Sequence, residues 1–129
     1  MTHVWSGVLP IHREIVIVES DVIVRELMVE ILQGIRAEIV TFGTATEALD
    51  YILDSHGACS LLITDHGPGR LSGLALSEMF RAKWPYLPVI LTCACGLEFK
   101  ALPQETVYLQ KPWPIDALCS TVKRIFTQQ

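Results

Sequence analysis

The chain has 129 residues, of which 50% are hydrophobic, and its formal net charge is −4. This length fits one domain with a substantial core, and no apolar stretch reaches the roughly 18 to 20 residues of a membrane-spanning helix. Because Lys and Arg are not clustered, we expect no direct binding to nucleic acid. The start of the sequence lacks the pattern of a signal peptide, so we expect a cytoplasmic protein that does not bind a membrane.

Strands and helices alternate in the first half of the chain. Ile15 to Val18 is a continuous apolar run, which is typical of a strand buried on both faces. Ala37 to Phe42 is partly polar and suits an edge strand. Thr44 and Glu47 have the spacing of a capping box and predict the start of a second helix. The helix between these strands has an apolar face at helical spacing, formed by Val24, Leu27, Met28 and Ile31.

The second half of the chain continues the alternation. A third buried strand over 61–64 ends at Asp65, and the Gly67-Pro68-Gly69 segment predicts a loop after it. We expect a helix over about 72–83, a fourth strand over 89–92 and a fifth over 107–110. Between the last two strands, the segment 96–106 has room for only a short helix, interrupted by Pro103. Pro114 is well placed as the first residue of the last helix.

This order of elements predicts an α/β fold, in which a doubly wound parallel sheet is covered by helices on both faces. In such a sheet, ligands bind outside the carboxyl ends of the strands. Four of the five predicted strands end in polar or reactive side chains, and these residues are Glu19, Ser20, Asp21, Asp65, Thr92, Cys93 and Lys111.

The residues at these strand ends suit phosphoryl transfer. Clustered carboxylates repel one another and need a cation, and oxygen ligands with open positions favour Mg²⁺, which also accepts phosphate oxygens. A carboxylate such as Asp65 can act as a nucleophile and form an aspartyl phosphate. Lys111 can pair with Asp65 at rest and with phosphate oxygens afterwards. Phosphoryl transfer needs mainly positioning and charge neutralisation, which this set of residues supplies.

Four blocks of the sequence, 16–21, 61–73, 88–96 and 109–113, resemble the motif blocks of response-regulator receiver domains, the CheY-like family. The resemblance covers about residues 14–126 and implies a flavodoxin-like sheet of five parallel strands in the order 2-1-3-4-5. It divides the chain into an N-terminal extension (1–13), a receiver domain (14–126) and a C-terminal tail (127–129). The short segment after the fourth strand resembles receivers attached to hybrid histidine kinases.

The resemblance assigns the reactive residues one by one. Asp65 falls on the phosphorylated aspartate, and Lys111 falls on the lysine that contacts the phosphoryl group. Pro112 follows Lys111 in a bond that is often cis in this family. Mg²⁺ is then expected to be held by four residues, Glu19 and Ser20 at the acidic pair, Asp65, and Gly67 through its backbone carbonyl.

The resemblance also assigns the residues that would transmit the signal. Cys93 falls on the Ser or Thr that reports phosphorylation, and Thr92 lies just before it. Tyr108 falls on the aromatic switch position, and Tyr108 and Trp113 together would mark a face that binds a partner protein.

Two residues depart from the family pattern. Ser20 stands where the pair has a second carboxylate, so the site loses a charge and a direct ligand and we expect weak Mg²⁺ binding. Cys93 brings a thiol, which is a poor hydrogen-bond donor, so Thr92 is an alternative reporter. His66 and Asp21 are interpreted more simply, as a loop residue and as an acid that caps the first helix.

The resemblance implies a two-component receiver that accepts a phosphoryl group on Asp65 from a histidine kinase or phosphotransfer protein. It would then switch a downstream protein partner, and it would be no enzyme beyond assisting its own phosphorylation and dephosphorylation. Ser20 and Cys93 keep open an alternative, a pseudo-receiver that binds partners without phosphorylation. A flavin protein or hydrolase of the same fold class is disfavoured, because the sequence has neither a Gly-rich phosphate loop after the first strand nor a nucleophile-elbow serine. Homodimerisation is left open.

Overall fold

The computed structural model describes residues 13–67, 71–93 and 106–127. These residues form five strands and four helices, which alternate along the chain up to the fourth strand. The elements are β1 (Glu14–Val18), α1 (Val22–Leu32), β2 (Glu38–Phe42), α2 (Ala45–Asp54), β3 (Leu61–Asp65), α3 (Gly73–Lys83), β4 (Val89–Cys93), β5 (Thr106–Gln110) and α4 (Ile115–Thr127). The short helix expected near Pro103 lies outside the described residues, as do Pro68 and Gly69.

All five strands are parallel and lie in the order β2-β1-β3-β4-β5. This confirms the predicted flavodoxin-like sheet and the position of the second strand at an edge. In the register of β3 with β4, Asp65 is paired with Thr92. In the register of β4 with β5, Cys93 is paired with Gln110. The residues predicted for the site therefore end their strands at the same edge of the sheet.

The apolar strands explain why the sheet is covered on both faces. Successive side chains of a strand point to opposite faces, so Val16 and Val18 pack against α2 and α3, whereas Ile15 and Ile17 pack against α1 and α4. All four are buried. A sheet with both faces covered by helices needs strands with apolar side chains on both faces, as in the apolar runs 15–18, 61–63 and 89–91 of β1, β3 and β4.

The helix starts follow the predicted capping residues. The Asp21 carboxylate accepts hydrogen bonds from the backbone N–H groups of Ile23 and Val24 at 2.9 and 3.3 Å, so Asp21 caps α1 as expected. Thr44 caps α2, where its side chain accepts from the Glu47 N–H at 3.2 Å and its hydroxyl donates to the Glu47 carboxylate at 2.9 Å.

Helix α1 departs from its predicted apolar face at Leu27, which is 39% exposed. Met28 and Leu32 are instead the side chains of this helix that are buried in the core. Leu27 lies at the border of the buried face, beside Val24 and Trp113. Within the described part of the chain, no helix is both long and apolar enough to cross a membrane.

Candidate functional site at the carboxyl ends of the strands

Two carboxylates and a lysine meet where β1, β3 and β5 end. Asp65 is the last residue of β3 and is 8% exposed, and Glu19 follows β1 and is 1% exposed. Lys111 follows β5, and its ammonium Nζ lies 2.6 Å from Glu19 Oε1. The predicted convergence of these residues is therefore observed, through strands that are far apart in the sequence.

The resting partner of Lys111 is Glu19, whereas the sequence favoured Asp65. Burial raises the pKa of the Glu19 carboxyl, and repulsion from Asp65 adds to the rise. Hydrogen bonds from Lys111 and from the Asp21 backbone N–H, the latter at 3.0 Å, act in the opposite direction. The most buried carboxylate of the site thus has the ammonium as its direct counter-ion.

Ser20 is a hydrogen-bond donor to the Asp65 carboxylate. Its backbone N–H lies 3.3 Å and its hydroxyl Oγ 3.2 Å from Asp65 Oδ2. Both groups donate to the same carboxylate oxygen, which restrains the rotation of the Asp65 side chain. From the sequence, Ser20 was expected only to replace a metal ligand, and its contact with Asp65 was not predicted.

Arg25 is a second cation that sequence reasoning missed. Its guanidinium Nη1 donates to the backbone carbonyl of Glu19 at 2.7 Å. A Cβ at Gly43 would lie 3.3 Å from the same nitrogen, so the absence of a side chain at Gly43 leaves room for the guanidinium. The only signal in the sequence was the position of Arg25, one helical turn after the capping residue Asp21 and on the same side of the helix.

Two glycines shape the loop around Asp65. Gly67 has φ +44°, and a Cβ there would lie 2.8 Å from Asp65 Oδ1, so its lack of a side chain keeps space beside that oxygen. A Cβ at Gly73 would lie 1.8 Å from the Asp65 backbone carbonyl oxygen. The start of α3 therefore packs directly on the backbone of Asp65, and the Gly73 N–H donates to the His66 carbonyl at 3.0 Å.

The ends of β4 and β5 connect the site to the predicted reporter residues. Cys93 is buried, and its carbonyl accepts from the Lys111 N–H at 2.8 Å and from the Tyr108 hydroxyl at 3.4 Å. Thr92 is fully buried, and its hydroxyl has no hydrogen-bond partner among the described residues. The Lys111–Pro112 bond is cis, as the resemblance implied.

The structure does not bring Tyr108 and Trp113 onto one face. Val107, Leu109 and Trp113 all pack against the core beneath α1 and α4, and strand alternation points Tyr108 to the opposite side of the sheet. Trp113 instead lines a groove of about 440 Å³ beside the site, together with Val24, Leu27, Lys111 and Pro112. The partner face expected from the sequence is thus divided into two surfaces.

The residues fit Mg²⁺ only in part. Glu19, Asp65 and the Gly67 carbonyl are oxygen donors of the kind that Mg²⁺ prefers. However, Glu19 Oε1 is paired with Lys111 and Asp65 Oδ2 accepts from Ser20. Across 13–67, 71–93 and 106–127, no three His, Cys, Asp or Glu side chains are grouped so that they could hold a metal ion.

Comparisons with known proteins agree with the fold. No protein-family model matches the chain. The response regulator protein FleR of Pseudomonas aeruginosa is 30% identical over 115 residues, which are 86% of this chain and 24% of FleR. The chain thus spans about a quarter of the length of this curated relative.

Solved structures match over nearly the whole chain. The response regulator TrrA of Thermotoga maritima, solved in complex with Mg²⁺-BeF, is 28% identical with a TM-score of 0.76, covering 88% of this chain and 98% of TrrA. The receiver domain of the hybrid histidine kinase CckA is 24% identical with a TM-score of 0.74, covering 87% and 97% of the two chains. With the strand order and the strand-end residues, these matches identify a receiver domain of two-component response regulators. Its fold is the CheY-like form of the flavodoxin-like sheet.

Proposed function

We propose that this receiver domain is a phosphoryl-accepting switch in which Asp65 is the acceptor. The observation that carries the proposal is the environment of Asp65. This carboxylate is buried at the end of β3, is held by Ser20 and lies beside the Glu19–Lys111 pair. Such a preorganised set of charges suits phosphoryl transfer, which depends mainly on positioning and charge stabilisation.

In the proposed transfer, a carboxylate oxygen of Asp65 attacks the phosphorus of a phosphohistidine. The new bond joins Asp65 to phosphorus, and the bond between phosphorus and the histidine nitrogen breaks, with its electron pair remaining on the imidazole. Lys111 then exchanges Glu19 for a phosphoryl oxygen, since an ammonium on a flexible chain can reach either. Ion pairing with the transferred group holds the product in place.

Mg²⁺, when bound, would neutralise charge on the phosphoryl oxygens, with Glu19, Asp65 and the Gly67 carbonyl as its protein ligands. We expect weak affinity, because Ser20 supplies no carboxylate and because Lys111 already pairs with Glu19 at 2.6 Å. The donor set is also one charge poorer than a site with three carboxylates.

The signal would pass through the end of β4. The Cys93 carbonyl accepts from the Lys111 backbone N–H and from the Tyr108 hydroxyl, so a shift of the chain after β5 that follows the Lys111 side chain would alter a contact shared with Tyr108. The buried hydroxyl of Thr92 is the alternative reporter, since the Cys93 thiol is a weak donor. The surfaces that contain Tyr108 and Trp113 would then change their affinity for a partner.

A histidine kinase or phosphotransfer protein is the proposed donor, and a downstream protein is the proposed receiver of the signal. We place the phosphoryl transfer and the binding of the downstream protein in the cytoplasm. The domain would not turn over a separate substrate, and its chemistry would be limited to its own phosphorylation and dephosphorylation.

The test is intact mass after incubation with acetyl phosphate and Mg²⁺. We expect one added phosphoryl group in the wild type and none in Asp65→Asn. Asp21→Asn is the matched control, because Asp21 is a neighbouring carboxylate that caps α1, and it should still be labelled. A wild type that is labelled to the same extent as Asp65→Asn would contradict the proposal.

A pseudo-receiver is the second candidate, favoured by the resting contacts of the site. The Glu19–Lys111 pair and the Ser20–Asp65 contacts give each carboxylate a partner without any phosphoryl group. Binding of a captured partner that is unchanged by Asp65→Asn, in a protein that no donor labels, would favour this alternative.

A further inference from the structure

We propose that Asp65 accepts its phosphoryl group without a divalent cation, because side chains of this chain supply the positive charge and the hydrogen bond that hold the carboxylates. This inference rests on the proposed function and specifies how the same site works. The residues concerned are Lys111, Arg25 and Ser20.

Two cationic side chains of the described residues contact Glu19 without a metal. The two buried carboxylates, Glu19 and Asp65, carry two negative charges. Lys111 contacts Glu19 at its side chain at 2.6 Å, and Arg25 contacts the same residue at its backbone carbonyl at 2.7 Å. Asp21 adds a carboxylate, but that group is exposed and already accepts two hydrogen bonds at the start of α1. The Lys111 ammonium therefore opposes the repulsion between these acids, which is the usual reason for a cation at such a site.

Ser20 contributes what a second carboxylate could not. A carboxylate at this position would repel Asp65, whereas Ser20 donates to Asp65 Oδ2 from its N–H and its hydroxyl, at 3.3 and 3.2 Å. These two donors orient the carboxylate, and Oδ1 lies on the side where Gly67 has no side chain. We assign Oδ1 as the nucleophile because Oδ2 is held by Ser20.

The transfer from acetyl phosphate balances without a metal or an added proton. Asp65 Oδ1 forms a bond to phosphorus, the bond between phosphorus and the acetate oxygen breaks, and acetate leaves with the electron pair. Lys111 and Arg25 are cationic residues whose side chains contact Glu19, and we expect them to stabilise the incoming phosphoryl charge. Arginine is well suited to this role because its planar group presents several N–H donors to phosphate.

The experiment compares initial labelling rates with acetyl phosphate in EDTA and in saturating Mg²⁺, for the wild type, Ser20→Asp and Ser20→Thr. We expect the two wild-type rates to agree within about threefold, and Ser20→Thr, which keeps the hydroxyl, to behave in the same way. Ser20→Asp should be labelled more slowly in EDTA than in Mg²⁺ by about a hundredfold, the size of effect produced by losing one preorganised electrostatic contact.

Calorimetric titration with Mg²⁺ alone gives a readout independent of phosphorylation. Ser20→Asp should bind Mg²⁺ at least about tenfold more tightly than the wild type, which corresponds to ~1.4 kcal/mol.

The outcomes separate this inference from the proposed function. Labelling of the wild type only in Mg²⁺ would overturn the inference and leave Asp65 as the acceptor. Equal labelling of Ser20→Asp in EDTA and in Mg²⁺ would overturn the role given to Ser20. Absence of labelling in every condition would overturn both. Melting temperatures of the three proteins, measured in EDTA, control for loss of folding.

Discussion

Strand β1 has a glutamate at each end, and the two side chains have different kinds of partner. Glu14, at the amino end of the strand, accepts from the Tyr51 hydroxyl at 2.8 Å, whereas Glu19, at the carboxyl end, pairs with the Lys111 ammonium at 2.6 Å. The side-chain partner of Glu14 is thus a neutral group, although Glu38 lies opposite Glu14 in the register of β1 with β2. The Glu14 carboxylate helps to raise the pKa of Tyr51 to about 12, and burial together with Glu14 raises the pKa of Cys59 to about 12. The direct side-chain partner of Glu19 is instead a cation, Lys111.

This difference separates a structural carboxylate from one that can take part in a switch. A hydroxyl that donates to Glu14 keeps its proton at neutral pH and has no second acceptor to choose. An ammonium that pairs with Glu19 can be drawn to any stronger anion that appears within reach. We therefore expect the two glutamates to differ in function, and we expect the difference to be set by the partner and not by burial alone.

The largest expected effect on stability comes from Gly73, which packs against the backbone of Asp65. Gly73→Ala would place a methyl group 1.8 Å from the Asp65 backbone oxygen, and we expect a loss of at least about 3 kcal/mol in the free energy of unfolding. Gly34→Ala is the matched control, since a Cβ there meets no atom within 4 Å. Urea denaturation compares the two variants, and similar midpoints for both would contradict the tight packing at this edge.

Loss of the Lys111–Glu19 ion pair should have an intermediate effect on the free energy of unfolding. Lys111→Met leaves the buried Glu19 carboxylate without its counter-ion, which costs about 2 kcal/mol at neutral pH after allowance for the partial exposure of Lys111. Because burial raises the pKa of Glu19, the lone carboxyl is protonated more readily as pH falls, and the penalty should shrink towards acidic pH. Chemical denaturation at several pH values measures both the penalty at neutral pH and its decrease towards acidic pH. Lys123→Met, at an exposed lysine, is the control. A penalty that does not depend on pH would argue against Glu19 as the cause.

Much of the fold was predictable because its signals are local. Apolar runs predicted the inner strands, Thr44 with Glu47 predicted the start of α2, and Asp21 was expected to cap α1. The weaker pattern of β2 indicated the edge position that the sheet order confirms. Leu27 was harder to place, because helical spacing alone does not show which residues at the border of an apolar face will be covered.

The members of the site were also predictable from the strand ends, but their pairing was not. Lys111 and Glu19 are separated by 92 positions in the chain, and the choice of Glu19 over Asp65 depends on distances that sequence does not contain. Arg25 was missed because an arginine on an amphipathic helix resembles an ordinary surface residue. The assignment of the individual site roles, the boundaries at 14–126 and the absence of enzymatic turnover stay predictions.

The smallest expected effect lies at the amino end of β1 and is also the cleanest in its pH dependence. Tyr51→Phe removes the hydroxyl that donates to Glu14 and should cost about 1 kcal/mol near neutral pH. Because the pKa of Tyr51 is raised from 10.0 to about 12 in the folded chain, its contribution is fully present below pH 10 and is lost as pH rises towards 12. The stabilities of wild type and Tyr51→Phe should therefore converge over that interval.

Acetyl phosphate labelling should be unchanged in Tyr51→Phe, since Tyr51 contacts Glu14 at the amino end of β1. Impaired labelling in a folded Tyr51→Phe protein would show that the two ends of β1 are not independent, and the distinction between a structural and a switching carboxylate would then fail.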